Sequence, residues 1–428
     1  MKVVDIERIL VDVPFTERQQ RITQRTVYKW SVLELCRVTA DTGDVGWGET
    51  VIHYTHQRVT DARVERVLHS SPAEAMWDDT IGAGLQMALF DLVGRITGVA
   101  VHQLLGRKVR EQTPLSWWCS HASPQDWAAE AVDAVAAGYT SCKTKPRPWW
   151  DIFAQVEAVS AVTPPHFKLD LDPNGSLKNA ATAVPVLTRL AGYERVAMFE
   201  TPIPQTDILG NRQIRRAVPR PVAMHFGSPP FITAVREEVC DGFVINGGAA
   251  QVVGQGTLAA ESGLPFWLQL VGNGLTTTWA AHLGAVLSHA TWPTISCVNL
   301  YTEQLLQTPI EVIGGYQSVP QGPGLGVAID EAAVERLRVP ESTLKALPAA
   351  QLYAPPRPRI INTLVFPDGT RVHMGAMGPH DYDAASGPGW SDGMYVEPPW
   401  RDDGTKEWAR LWARVCDGDV VRDTARKV

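Results

Sequence analysis

The sequence predicts an α/β protein built on a (β/α)8-type barrel, TIM-like but modified, with a separate N-terminal α+β domain and a C-terminal extension. Short apolar or β-branched runs recur at 115–119, 139–144, 167–171, 196–199, 221–225, 242–246, 265–269 and 296–300, with helical patterns between them. Eight such runs at intervals of about 20–30 residues are what strands alternating with helices around a closed parallel sheet require. The flanking regions break that rhythm. The N-terminal domain is therefore placed at 1–112, the barrel at 113–345 and the extension at 346–428.

The elements follow in order. "ILVDV", "SVLELCRVTA" and "DVGWGET" alternate like an antiparallel meander, with "DTGD" as its tight turn. Gly46, Gly48 and Glu49 of "GWGET" read as turn residues, and one long helix is expected over roughly 80–105. In "SPQDWAAEAVDAVAAGY", Ser123 is a natural N-cap, Pro124 suits the first helical position and Gly138 ends the helix. "GPGLGVAIDEAAVERL" closes the barrel domain. In the extension, "IINTLVFPDGTRVHM" predicts a hairpin, followed by a helix; neither suggests a role.

Composition excludes several classes. With 428 residues, 45% of them hydrophobic, the chain can bury at least one large core. A formal charge of −7, with no run of Lys or Arg, argues against a nucleic-acid or membrane-surface partner. No apolar stretch reaches bilayer length, and "MKVVDIERILVDVP" reads as a strand and not as a secretory signal. The six cysteines are scattered without a C-x-x-C pair, as buried thiols of a cytosolic protein would be. The expectation is a cytoplasmic homo-oligomer acting on a small molecule.

"SCKTKPRP" then poses a chemical question. Lys143 and Lys145, two apart on a strand, point the same way at a strand end, where a barrel does its chemistry. Two ammonium groups side by side call for an anion. Along "FKLDLDPNG", Asp170 and Asp172 face the barrel interior, with Asn174 just beyond, and the next strand ends in Glu200 of "MFETP". Carboxylates on adjacent strand ends suit a hard, oxygen-preferring cation. A lysine beside such a charge has its pKa lowered and serves as a base. The plainer alternative is an ion-pair layer in which Asp170 and Asp172 neutralise both lysines. The Trp pairs 117–118 and 149–150 read as core and loop packing, with Trp117 or Trp118 as candidates for the mouth.

Taken together, "GWGET", "ALFDLVGRITGVAVHQLLGR", "KTK", "DPNG", "FETP" and "GPGLGV" resemble the mandelate racemase/muconate lactonizing branch of the enolase superfamily, over residues 1 to about 340. The resemblance implies a divalent metal, usually Mg2+, that binds a substrate carboxylate and stabilises the enolate left by removal of the α-proton. It implies Asp172 and Glu200 as metal ligands, Lys145 as the base and Lys143 as its assistant. It also implies capping loops, here 16–30 and 51–58, that close the mouth. Arg21, Arg25, Tyr28, His53 and Tyr54 are the candidate substrate contacts on those loops.

The family pattern then breaks. Counting from Pro221 in "RPVAMHFGS" puts Phe226 where the third acidic ligand belongs. His225 is expected on the opposite face unless a bulge turns it inward, and as a ligand it would favour Mn2+, Fe2+ or Zn2+ over Mg2+. On the sixth and seventh strands, where a second base is expected, stand Asn246 and Gln269, neither of which exchanges a proton near neutral pH. Glu303 is a further substrate contact, and His121 a spare acid. One-face chemistry is left: dehydration of a hydroxy or sugar acid, with a cycloisomerase, a racemase or epimerase, a metal-free lysine enzyme, or a degenerate carboxylate-binding barrel as alternatives.

Overall fold

The computed structural model describes residues 1–348, 351–376 and 389–423. Strands β1 (Val3–Asp12), β2 (Val32–Ala40) and β3 (Val45–Val51) form the antiparallel meander. Helix α1 (Ala83–Thr97) lies across it so closely that a Cβ on Gly46 would fall 2.2 Å from Ala88 O, and one on Gly48 2.1 Å from Gly84 O. Both glycines are thus strand residues that admit a helix, not turn residues. Glu49 is also a strand residue, and its buried carboxylate accepts the backbone N–H groups of Asn273 and Thr276. The single helix expected over 80–105 is two. Gly98, at φ +71°, ends α1 in the left-handed conformation, and α2 (Val101–Leu105) starts afresh.

The barrel strands are β4 (Trp117–Cys119), β5 (Ser141–Thr144), β6 (Lys168–Leu171), β7 (Val196–Glu200), β8 (Val222–His225), β9 (Gly242–Ile245) and β10 (Phe266–Leu268), paired in parallel in sequence order. Between them run α3 (Pro124–Ala136), α4 (Ile152–Val162), α5 (Ala180–Ala191), α6 (Ile208–Ala217), α7 (Phe231–Arg236) and α8 (Ala249–Glu261), with α9 (Gly274–Val286) after β10. Ser123 caps α3 as expected, its Oγ accepting the Asp126 N–H.

The eighth strand is reduced to a seam. Leu115 bridges Thr294 and Gln269 bridges Ile295, so residues 294–296 tie both open edges together. Cys297, at φ +63°, then turns the chain out of the extended path, and Val298–Leu300 coil into a short 3-10 turn.

Beyond the barrel, α10 (Glu331–Leu337) precedes the extension. There β11 (Ile360–Val365) and β12 (Arg371–Met374) form the expected hairpin. They are joined by β13 (Tyr395–Val396), β14 (Trp400–Arg401) and β15 (Val421–Asp423), and α11 (Lys406–Val415) packs against them. Leu364, Phe366, Val372, Met374, Met394 and Val396 bury Trp149 and Trp150, so this sheet docks on the loop that follows β5. Arg25 of the capping loop donates to Asn362 Oδ1 at 2.9 Å and to Glu397 O, and Arg401 reaches back to Gln24. The extension therefore holds two loops of the barrel mouth.

The close approach of α1 makes a direct prediction. Gly48→Ala should cost about 1–3 kcal/mol through overpacking against helix backbone. Gly254→Ala, on α8 where an added methyl meets nothing within 4 Å, should be neutral or slightly stabilising. Urea unfolding midpoints of the two variants test the contrast.

Candidate active site

The parallel register brings the charged residues together. Lys143 pairs in register with Asp170, and the next inward positions, Lys145 and Asp172, lie just past the ends of β5 and β6. Glu200 ends β7. Lys143 is 1% exposed and Asp172 and Glu200 are fully buried. The Lys143 ammonium contacts a Glu200 oxygen, lies 3.4 Å from Asp172 Oδ2 and donates to Gln269 Oε1 at 2.5 Å. Trp267 presents its ring 5.3 Å from the same Nζ. Lys145 donates to Asp172 Oδ2 as well. Two cations and two anions form one neutral buried cluster.

The two lysines are driven apart. Burial disfavours the charge of Lys143, but Glu200 and Asp172 outweigh it and raise its pKa. Burial also disfavours the charge of Lys145. Its share of Asp172 does not compensate, and Lys143 and Arg147 repel it, so its pKa is lowered. Asp172, although buried, is held well below the usual carboxylate range by Lys145 and Lys143. Its charge is stabilised by two ammonium groups, whereas Lys145 has only part of one carboxylate. Burial, with Glu200 adding to it, pushes Asp170 up to about 7 against the opposing charge of Lys143.

His225 faces inward with no bulge. Ala223 pairs with Glu200, so the alternation of β8 puts Ala223 and His225 on the face of Glu200, and His225 Nε2 lies 3.1 Å from Glu200 Oε1. Phe226 takes the other face and packs against Phe231 and Phe243, with ring centroids 5.0 and 5.1 Å away. The expectation that His225 points away is corrected by this register.

The residues nevertheless do not fit a divalent cation as they stand. Both carboxylates are occupied by ammonium groups, the third position offers an imidazole, and no group of three His, Cys, Asp or Glu among the described residues is placed to hold a metal. Lys143 fills the place between the two acids.

A cavity of about 370 Å3 opens beside the cluster. Lys145, Arg147, Asn174 and His121 supply its polar wall, and Trp30, Trp118, Trp149 and Tyr54 much of its apolar one. Arg147 donates to Asp172 O and to Asn174 Oδ1, and Asn174 N donates to Asp172 Oδ1 at 3.0 Å. Tyr54 and Gln269 are joined through Gln269 Nε2 and the Tyr54 hydroxyl, 3.2 Å apart, and both also border a second cavity, lined by Asn246. Tyr28, His53 and Glu303 do not line either cavity. His53 is 2.6 Å from Tyr353 O, and Glu303 pairs with Arg336. Arg21 pairs with Asp126 on the surface, and Arg25 is taken up by the extension. Arg147 was visible four residues after Lys143, but its contacts with Asp172 O and Asn174 are decided by the tertiary structure.

A capping meander over a parallel barrel, with paired lysines and acids on consecutive strand ends, defines an enolase-type enzyme scaffold. Residues 126–333 match the family model described as "Enolase C-terminal domain-like". Muconate cycloisomerase 1-1 of Acinetobacter lwoffii is 28% identical over 377 residues, 78% of this chain and 97% of that one. D-galactarolactone cycloisomerase of Agrobacterium fabrum is 23% identical, covering 77% of this chain and 96% of its own. Among solved structures, a mandelate racemase/muconate lactonizing family protein from Azoarcus sp. EbN1 superposes with a TM-score of 0.66 at 25% identity, over 79% of this chain and 98% of that one. Other relatives are named as epimerases, racemases and dehydratases. The chain belongs to the enolase superfamily, in its mandelate racemase/muconate lactonizing branch. Members of that superfamily generally bind a divalent metal, typically Mg2+.

The ion cluster predicts an asymmetry between its lysines. Lys143→Ala leaves two buried carboxylates short of a partner and should cost about 3–5 kcal/mol, whereas Lys145→Ala keeps Asp172 paired with Lys143 and should cost less. Denaturant unfolding of the two variants distinguishes them.

Proposed function

We propose that the protein removes the proton α to the carboxylate of a small hydroxy acid, with Lys145 as the base, and that the product forms by loss of water. The observation that carries this reading is the position of Lys145: it borders the cavity, and its charge is disfavoured while that of Lys143 is not. Neutral Lys145 takes the α-proton. The resulting ammonium returns to Asp172 and hands a proton to the β-hydroxyl as it leaves on the same face. One C–H and one C–O bond break, a C=C bond forms, and water carries away the proton and the hydroxyl. Arg147 lies where it can offset the charge that develops on the carboxylate. Lys143 stays charged and keeps Asp172 and Glu200 in place. Of the two positions where a second base is expected, Gln269 borders the same cavity and Asn246 the second one, and both are amides, which do not support inversion.

Asp172, Glu200 and His225 are the donors that Mg2+ or Mn2+ would use, and binding would require displacement of Lys143, so affinity should be weak. The same closed cluster favours a second reading, a barrel that binds a carboxylate without turning it over.

Incubation of the protein with hydroxy acids in D2O separates the two. Deuterium should enter the α-position from one face without racemisation, and Lys145→Ala should abolish both exchange and dehydration. Because the Lys145 pKa is lowered and the neutral amine is the active form, exchange should rise with pH and level off below the ordinary lysine range. Carboxylate binding with no exchange from any acid would leave only the binding reading. Racemised product would require a second base and overturn the one-base mechanism. Calorimetry showing tight Mg2+ binding without substrate would overturn the account of the acid pair.

A further inference from the structure

His121 lies just past β4, is 2% exposed and lines the cavity that Lys145 borders. Its Nδ1 is 3.4 Å from Trp149 Nε1 and 3.3 Å from Trp150 Nε1. An indole N–H only donates, so Nδ1 must accept. The ring is then neutral and its proton sits on Nε2. That nitrogen is buried and has no hydrogen-bond partner. An unmet buried donor is costly and calls for an explanation. Burial also pushes the ring pKa well below its ordinary value, with Arg147 and Arg25 adding to the effect.

The geometry points to a role for this donor: we propose that His121 Nε2–H donates a hydrogen bond to an oxygen of the bound carboxylate, beside Lys145 and Arg147. This rests on the reading of the cavity as a carboxylate site and deepens it. The C-terminal extension would be the positioning device. Its apolar face buries both Trp149 and Trp150, and it fastens the following residue, Asp151 N donating to Met394 O and Gly393 N to Asp151 Oδ2. With the indoles held, both N–H groups stay on Nδ1 and the tautomer is set. The family match ends at residue 333, ahead of the extension. The extension thus supplies part of the site without lining it, through two tryptophans that belong to the barrel.

Nitrogen-15 NMR of histidine-labelled full-length protein, titrated with acetate and with benzoate, tests the proposal. His121 should show a protonated Nε2 and a bare Nδ1 in the free protein, and its Nε2 resonance should move as either probe binds. His121→Phe should weaken binding of the probes roughly ten- to a hundredfold, as expected for a hydrogen bond to a charged group. His121→Gln keeps an acceptor for the indoles and a donor for the ligand and should recover part of that loss. Circular dichroism of both variants shows whether they fold, and the NMR measurement on the wild type stands even if His121→Phe does not. A proton found on Nδ1, or an Nε2 unmoved by a probe that binds, would overturn the proposal. Probe binding that is lost in Lys145→Ala but unchanged in His121→Phe would overturn the role of His121 and leave the carboxylate site intact. Wild-type protein that binds neither probe would overturn the carboxylate site and, with it, this assignment.

Discussion

The structure depends on keeping two carboxylates and two ammonium groups out of water at the end of a barrel. Desolvating four charges is affordable only if each finds its partner at contact distance, because the attraction must offset a penalty of several kcal/mol per ion. Lys143 meets that condition by touching Glu200, lying near Asp172 and reaching Gln269. Once it is held there, Asp172 can serve Lys145 too, and the pair acquires opposite tendencies from one strand. A single buried cation thus organises three strand ends and leaves its neighbour as the lysine whose charge is disfavoured.

The departures from the superfamily's usual pattern form one connected change. On the face where an acid would complete a metal site stands an imidazole, and the next residue turns its ring into an aromatic cluster on the far side of the strand. With one carboxylate fewer, two lysines already balance the remaining charge, so nothing forces a divalent cation between them. Gln269 after the seventh strand and Asn246 after the sixth are amides, which can orient a ligand but not exchange protons.

The C-terminal extension acts on the same site from outside. It buries the two tryptophans after β5, binds Arg25 of the capping loop and accepts His53 through Tyr353 O. Residues such as Arg25 and His53, which a sequence reading places at the mouth, are engaged by this extension. Loops that would be free to open and close over a ligand are tethered on one side.

Much of this was legible in the chain itself. Short apolar or β-branched runs at regular spacing point to a parallel barrel because a closed sheet covered by helices buries them all, and K-x-K, Asp172 and Glu200 fall at strand ends by the same count. Three things were not legible. The glycines of "GWGET" look like turn residues until a helix backbone is found within about 2 Å of where a side chain would stand. The inward face of His225 follows from its pairing with the neighbouring strand, and counting from a proline misses that register by one residue. The pairing of His121 with Trp149 and Trp150, and of both with the extension, joins segments more than 200 residues apart. Sequence determines periodicity, and therefore which elements form and which residues share a face. Register and long-range docking are decided by packing between elements, so the partner of each buried polar atom belongs to the tertiary structure alone.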